Sequence, residues 1–363
     1  MTDGITKALH ESADVEDLLV RAGLGSLAGQ ADVRALPGRN QNWIGTTDTG
    51  KRLFVKKLEG PRQASAARVR QSLAFDRILR NDKSTELRSP QLLAADPDAG
   101  VLVFARVEEA STAAELIREQ RLTSDLAYSL GRTVGLLHNL PVEDLPHEEE
   151  ISPLLPSEEL LEAIPVSLFE ASSAAELQAW SLMQNDGALG DSLRRLLSQE
   201  RQADPVAAHC DLRLDQFLVS DGTVYVTDFE EFRPGDAARD IGGVVGDLLH
   251  RALLDAATGD RQSAEPPSRG RMLAQLADGI QGVRPYITAL WNGYRDTRPS
   301  GDSHLAERVT AFVGWHLLDR LLAGARTAPR LAALPRAMAG IGRKALLTPA
   351  AFHSTLGLTE ARK

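Results

Sequence analysis

The chain has 363 residues, 43% of them hydrophobic and 25% charged, which is enough for two lobes around sizeable cores and too apolar for a disordered polymer. Its net charge of -9 argues against a general affinity for nucleic acid or anionic membrane. A single cysteine, Cys210, excludes an intramolecular disulfide and a thiolate zinc cluster and fits a reducing compartment.

The N-terminal stretch MTDGITKALHESADVEDLLVRAGL has acids scattered through it and reads neither as a secretory signal nor as a membrane span. No later run reaches about 18 uninterrupted apolar residues, so a cytoplasmic protein is expected. From Val15, VEDLLVRAGLGSLAG predicts a short amphipathic helix closed by glycine. GRNQNWIGTTDTGKRLFVKKL then predicts two extended arms around a turn at Asp48, Thr49 and Gly50. Inside it, GTTDTGKR falls one residue short of the phosphate-loop pattern G-x-x-x-x-G-K-[ST], with Arg52 where the magnesium-ligating hydroxyl belongs. A phosphate loop also leads into a helix, whereas this segment leads into alternating strand residues, so the match is a coincidence.

Ala64 to Leu79 predicts a helix, and SPQLLAADPDAGVLVFARV a second hairpin around DPDAG. From Thr112 onward apolar residues recur every three and four positions, which predicts a helical second lobe. The switch at Phe104 to Glu108 sets the expected boundary, with one lobe over residues 1–104 and the other over 105–363. Acids and prolines crowd together between Pro141 and Pro165 and predict a solvated connection.

One strand-rich segment interrupts the helical half: PVAAHCDLRLDQFLVSDGTVYVTDFEEFRPGDAARDIGG, with QFLV and VYVTDF joined by SDG. Asp211 precedes the first strand and Asp228 ends the second, so a hairpin brings both to one edge. Magnesium takes oxygen ligands, and Asp228 with the amide oxygen of Gln216 supplies two, leaving Asp211 to accept a proton. The spacing fits equally well with turn and cap residues, where aspartates are common.

The same segment resembles the catalytic core of the aminoglycoside-phosphotransferase-like branch of the protein-kinase superfamily, H-x-D-x-x-x-x-N followed by a hairpin and D-[FW]-[EG]. Here the pattern reads His209, Asp211, Gln216 and Asp228-Phe229-Glu230. GDAARD, LGRTVGLLHNL and RLFVKK are similar to three further segments of that family, in the same order around it. The resemblance implies an α+β, bilobal protein-kinase-like fold: a small antiparallel-sheet N-lobe and a large, mostly helical C-lobe. It implies ATP and Mg2+ as cofactors, Asp211 as catalytic base and Asp228 as principal magnesium ligand. Gln216 stands in place of the usual asparagine as a second metal ligand, and Lys56 holds the α- and β-phosphates. Asp240 braces the catalytic loop, His209 is structural, and Arg213 neutralises charge on the γ-phosphate. Gly38, Asn40 and Asn42 in GRNQNW are expected to extend the phosphate contacts, and Phe104 and Arg106 to complete the nucleotide site. The lysine's usual glutamate partner has no clean match. Asp76 is the better candidate for that place, with Gln71 or Ser72 as uncharged alternatives, and Cys210, in place of the commoner glycine, reads as packing.

GRNQNW, FVKKL, HCDLRLDQF, TDFEEFRPGDAARDIG and AGIGRKALLTP are similar to a narrower group, the phosphotransferase-like subunits of class V lanthipeptide synthetases and related kinases of thioamide-peptide pathways. This implies phosphorylation of serine and threonine in a ribosomally made precursor peptide, with a separate phosphate lyase and a cyclase as partners. Two alternatives remain. One is a small-molecule hydroxyl kinase for an aminoglycoside, macrolide, choline or amino-sugar, with EDLPHEEE and FEEF supplying an acidic pocket. The other is a catalytically silent scaffold that binds a leader peptide, consistent with Gln216 and the missing glutamate.

Overall fold

The computed structural model describes residues 13–82, 84–142, 155–258, 268–299 and 301–359, so the acidic stretch EDLPHEEE lies outside the described residues. No helix among them is long and apolar enough to cross a membrane. The described chain divides into two compact units: one holds the residues up to Glu115 together with Asp215–Pro234, and the other holds Leu116–Asn139, the residues that end at Leu214, and those from Gly235 on. The first unit thus runs past the boundary expected at Phe104 and takes in the later hairpin as well.

The first unit is built on a five-stranded antiparallel sheet. Its strands are β1 (Arg34–Leu36), β2 (Gln41–Thr46), β3 (Arg52–Lys57), β4 (Leu92–Asp96) and β5 (Val101–Ala105), in the spatial order β1-β2-β3-β5-β4. The turn between β2 and β3 closes through Gly50 at φ +80°, with the Gly50 amide donating to the Thr47 carbonyl at 2.9 Å. Lys51 and Arg52, the basic pair of the phosphate-loop look-alike, are tied to the Gly23 carbonyl and to Glu108 at 2.8 Å each.

Alternation along the strands decides what each face carries. Trp43 of β2, Leu53 and Val55 of β3, and Val101 and Val103 of β5 are buried with Val15, Leu18 and Leu19 of helix α1 (Ala13–Arg21). The intervening residues take the opposite face: Leu102 packs with Leu58, Val69 and Leu92 beside Phe104, and Val69 belongs to helix α2 (Arg62–Asn81). Lys56 lies on that second face because it alternates with Val55. A strand β6 (Ser111–Thr112) pairs with β7 (Phe217–Ser220), which forms a hairpin with β8 (Thr223–Val226) around Asp221 and Gly222, both at positive φ.

The second unit is helical. Its main helices are α3 (Ser124–His138), α4 (Ala174–Gln184), α5 (Gly187–Gln202), α6 (Ala237–Thr258), α7 (Arg269–Thr297), α8 (Leu305–Ala325) and α9 (Ala333–Leu347). α3 begins at a Thr123 cap, whose side chain accepts from the Leu126 amide at 3.1 Å. It then packs on α7 with almost no space between backbones: a Cβ on Gly131 would lie 1.8 Å from the Leu290 carbonyl oxygen, and one on Gly293 2.0 Å from that of Tyr128. A buried ion pair joins Asp236 to Arg308 of α8 at 2.7 and 2.9 Å.

Candidate functional site

The first unit contains a cleft of about 570 Å³, within the range that holds small-molecule ligands. Sheet residues Asn42, Ile44, Phe54, Lys56 and Phe104 line it, and Gln216 and Asp228 line it from the later hairpin. The hairpin closes where the Thr227 amide donates to the Gln216 carbonyl at 2.9 Å, which places the expected metal pair on neighbouring strand ends. Asp228 adopts a left-handed backbone at φ +74°, at the point where the chain turns into Phe229.

Lys56 is the electrostatic centre of this cleft. Its ammonium forms ion pairs with Asp228 and with Glu230. Burial alone pulls such an ammonium down, but the two carboxylates outweigh it and its pKa is raised. The Glu230 carboxyl is also pushed up, to about 7, by burial and by the neighbouring charge of Asp228, with Lys56 offsetting part of the effect. The Asn40 amide donates at 3.2 Å to Glu230 Oε1, the oxygen that also pairs with Lys56, and Arg68 of α2 stands 3.8 Å from the other oxygen. Phe229 stacks on Phe75 of α2 with centroids 3.3 Å apart, and Phe232 meets the same ring edge-on.

The acid expected to partner Lys56 is therefore corrected. Asp76, the one acid in the α2 sequence, pairs with Arg80 one turn further along the helix at 2.8 Å, although it also lines the cleft. Neither Gln71 nor Ser72 takes its place. Gln71 is fully buried with neither side-chain polar atom partnered, and Ser72 donates to the Arg68 carbonyl at 3.3 Å. The missing glutamate comes from the segment after Asp228, and the signal for it was the third letter of the D-F-E triplet.

The loop residues meant for phosphate are also partly engaged. The Asn40 side chain bridges Glu230 and the Glu59 amide, and the Asn42 amide donates to the Asn40 carbonyl at 3.2 Å. Gly38 leaves the room this needs, since a Cβ there would stand 2.8 Å from the Asn42 amide nitrogen. Phe104 packs its ring against Phe54, and Arg106 borders the cleft beside it.

Asp211 and Arg213 belong to the second unit. The Asp211 carboxylate accepts from Arg213 Nη1 through both oxygens, at 2.8 and 2.7 Å. The loop that carries them is held by fully buried Asp240, which accepts from the His209 and Cys210 amides at 2.7 Å each. The remaining capacity of Asp240 goes to His138 Nε2 at 3.0 Å, and His138 Nδ1 meets the Tyr294 hydroxyl at 3.1 Å. Burial works against the charge of Asp240, yet the hydrogen bond and charge of His138, then His209, keep its pKa lowered. Cys210 sits at φ +70°, the left-handed region that glycine takes without penalty, which explains why glycine is the commoner residue there. His209 is completely buried. His138 and Tyr294 were not identified from sequence, although GLLHNL contains the histidine.

The residues fit a hard cation only in part. Among the described residues no cluster of three or more histidine, cysteine, aspartate or glutamate side chains forms a metal site. Asp228 and Gln216 offer oxygens on the cleft, so Mg2+ held there would take its other ligands from phosphate and water, as this ion commonly does.

No curated protein matches the chain in sequence. Among solved structures, an amicoumacin kinase, hAmiN, in complex with AMP-PNP, Ca2+ and Ami aligns with a TM-score of 0.56 at 16% identity, over 94% of this chain and 96% of that one. A glucosamine kinase in complex with glucosamine, ADP and inorganic phosphate aligns with a TM-score of 0.50 at 17% identity, covering 89% and 82%. The gentamicin complex of APH(2")-IIa gives 0.50 at 14% identity, covering 92% and 95%. These likenesses concern the fold. The family model named APH, phosphotransferase enzyme family, matches residues 32–286, most of the sequence. The chain therefore belongs to the phosphotransferase enzyme family, as an enzyme with an antiparallel-sheet lobe and a helical lobe.

Proposed function

We propose that this kinase transfers the γ-phosphate of ATP to serine and threonine hydroxyls of a ribosomally made precursor peptide. The observation that carries phosphoryl transfer is the Lys56 ammonium held between Asp228 and Glu230 in the cleft. Lys56 would take the phosphate oxygens, and Asp228 with Gln216 would hold Mg2+, which would supply neutralisation of phosphate charge. Asp211 accepts the hydroxyl proton as the oxygen bonds to phosphorus and the bond to the leaving diphosphate breaks. Arg213, already paired with Asp211, neutralises charge on the transferred group.

The peptide substrate is supported by the wording of GRNQNW, HCDLRLDQF and TDFEEFRPGDAARDIG, which resembles the kinase subunits of lanthipeptide synthetases. A hydroxyl is a poor leaving group and a phosphate a good one, so the product suits a separate lyase that eliminates phosphate to dehydroamino acids. A cyclase would then act on those. The second reading, a small-molecule hydroxyl kinase, is favoured by the neighbours of similar fold, which are kinases of amicoumacin and glucosamine and a gentamicin-bound phosphotransferase. Within FEEF, Glu230 is committed to Lys56, which weakens its use as a pocket for a cationic substrate.

Mass spectrometry after incubation with ATP, Mg2+ and a precursor peptide tests this directly. Phosphate added to serine or threonine supports the peptide reading. Transfer only to an amino-sugar or aminoglycoside supports the second one, and peptide binding without any transfer supports a silent scaffold.

A further inference from the structure

Helix α6 presents three residues to the loop 209–214 from one face, at the spacing i, i+3 and i+7. Asp240 accepts from the amides of His209 and Cys210 at the start of the loop. Gly243 lies against its middle, where an added Cβ would stand 2.6 Å from the Leu212 carbonyl oxygen. Asp247 reaches its end, where Oδ2 accepts from the Leu214 amide at 3.2 Å. The three contacts fall at either end of the loop and between Asp211 and Arg213. Asp247 is itself fixed from two other directions. Arg251, one turn along α6, donates to it at 3.3 Å, and His316 of α8 stands 3.9 Å from its other oxygen. At 4% exposure it is buried, and a carboxylate is retained there only where it has such partners.

We propose that Asp247 is a second positioning residue for phosphoryl transfer: it pins the outgoing end of the catalytic loop, as Asp240 pins the incoming end, and so fixes the Asp211–Arg213 pair between two anchors on one rigid helix. A loop held only at its start keeps the His209 and Cys210 amides in place but lets Arg213 pivot about Cys210. With the Leu214 amide also held, the Arg213 backbone has an anchor on each side, and its guanidinium keeps both oxygens of Asp211. The inference rests on the proposed role of Asp211 as base.

Three variants of the full chain test it: Asp211→Asn, Asp247→Ala and Asp247→Asn. Each is assayed for Mg2+-dependent ATP-to-ADP turnover, for AMP-PNP affinity by calorimetry and for Tm. Asp247→Asn keeps an oxygen for the Leu214 amide. The expected result is that Asp247→Ala lowers kcat by about tenfold to a hundredfold, the effect of a displacement of about 1 Å in a positioned group, with AMP-PNP affinity unchanged. Asp247→Asn should recover most of that loss. A merely structural role would instead lower Tm in both variants and leave kcat per folded molecule alone, and that outcome overturns the inference. If Asp211→Asn abolishes turnover while Asp247→Ala keeps the wild-type kcat, the inference fails and the kinase mechanism stands. If Asp211→Asn itself turns over at the wild-type rate, the assignment of the base fails and takes the inference with it.

Discussion

Replacing Glu230 with glutamine should make the protein more stable at neutral pH and a poorer kinase. Glutamine keeps the shape of the side chain and its contact with Asn40, and it mimics the protonated acid. Burial and the Asp228 charge hold Glu230 at about 7 in the folded chain, against an ordinary 4.5. An acid with a raised folded pKa takes up its proton more readily folded than unfolded. Its stabilising effect is complete below about 4.5 and is lost as the pH climbs through about 7. That gap is worth about 3 kcal/mol. Wild type and Glu230→Gln should therefore unfold alike near about pH 4.5, and by about pH 8 the variant should be ahead by about 2 to 3 kcal/mol. Urea unfolding of the metal-free proteins across this range is the assay. Parallel profiles, or a variant less stable than wild type at the alkaline end, would refute the account of Glu230 as a strained counter-ion. The same variant leaves Asp228 as the carboxylate that holds Lys56, so the lysine is less firmly positioned and the KM for ATP should rise.

Three further outcomes follow from the same geometry. Asp211→Asn should abolish transfer to a hydroxyl while calorimetry with AMP-PNP shows little change, because the cleft lined by Lys56 and Asp228 lies in the other unit. Asp228→Ala should weaken magnesium-nucleotide binding itself, by about tenfold or more, and an unchanged affinity would count against its metal role. Cys210→Gly should retain activity and stay within about 1 kcal/mol of wild-type stability, since relief of the left-handed backbone offsets the lost burial of the thiol. A large loss of activity there would show that the sulfur has a chemical task.

The readable parts of this sequence were those set by local pattern. The turn at Asp48 to Gly50, the hairpins β2–β3, β4–β5 and β7–β8, and the long helix from Arg62 all announce themselves through alternation, glycine or an unbroken helical run. Strand parity was equally legible: once Val55 is assigned to the core, Lys56 must face the opposite side, and Lys57 cannot replace it. The lysine's counter-ion was not legible in this way. The resemblance places the partner of a strand lysine on the next helix, whereas the chain supplies it from a triplet far along the sequence, and only the tertiary fold brings the two together. The same limit applies to His138, Tyr294 and Asp247. Each sits in a periodic helical segment where a buried polar residue looks like any other inward position, and its partner lies on another helix or loop.

In a protein kinase the strand lysine takes its glutamate from a mobile helix, and swinging that helix outward breaks the pair and silences the enzyme. Here α2 gives the pair a cation, Arg68, while the acid arrives on the segment that carries Asp228. Withdrawing α2 would strip Glu230 of Arg68 and Phe229 of its stacking partner, but would leave Lys56 with its acid. Lys56, Glu230 and Asp228 thus assemble as one unit, and an on-off control that works by displacing a helix would have no grip on them.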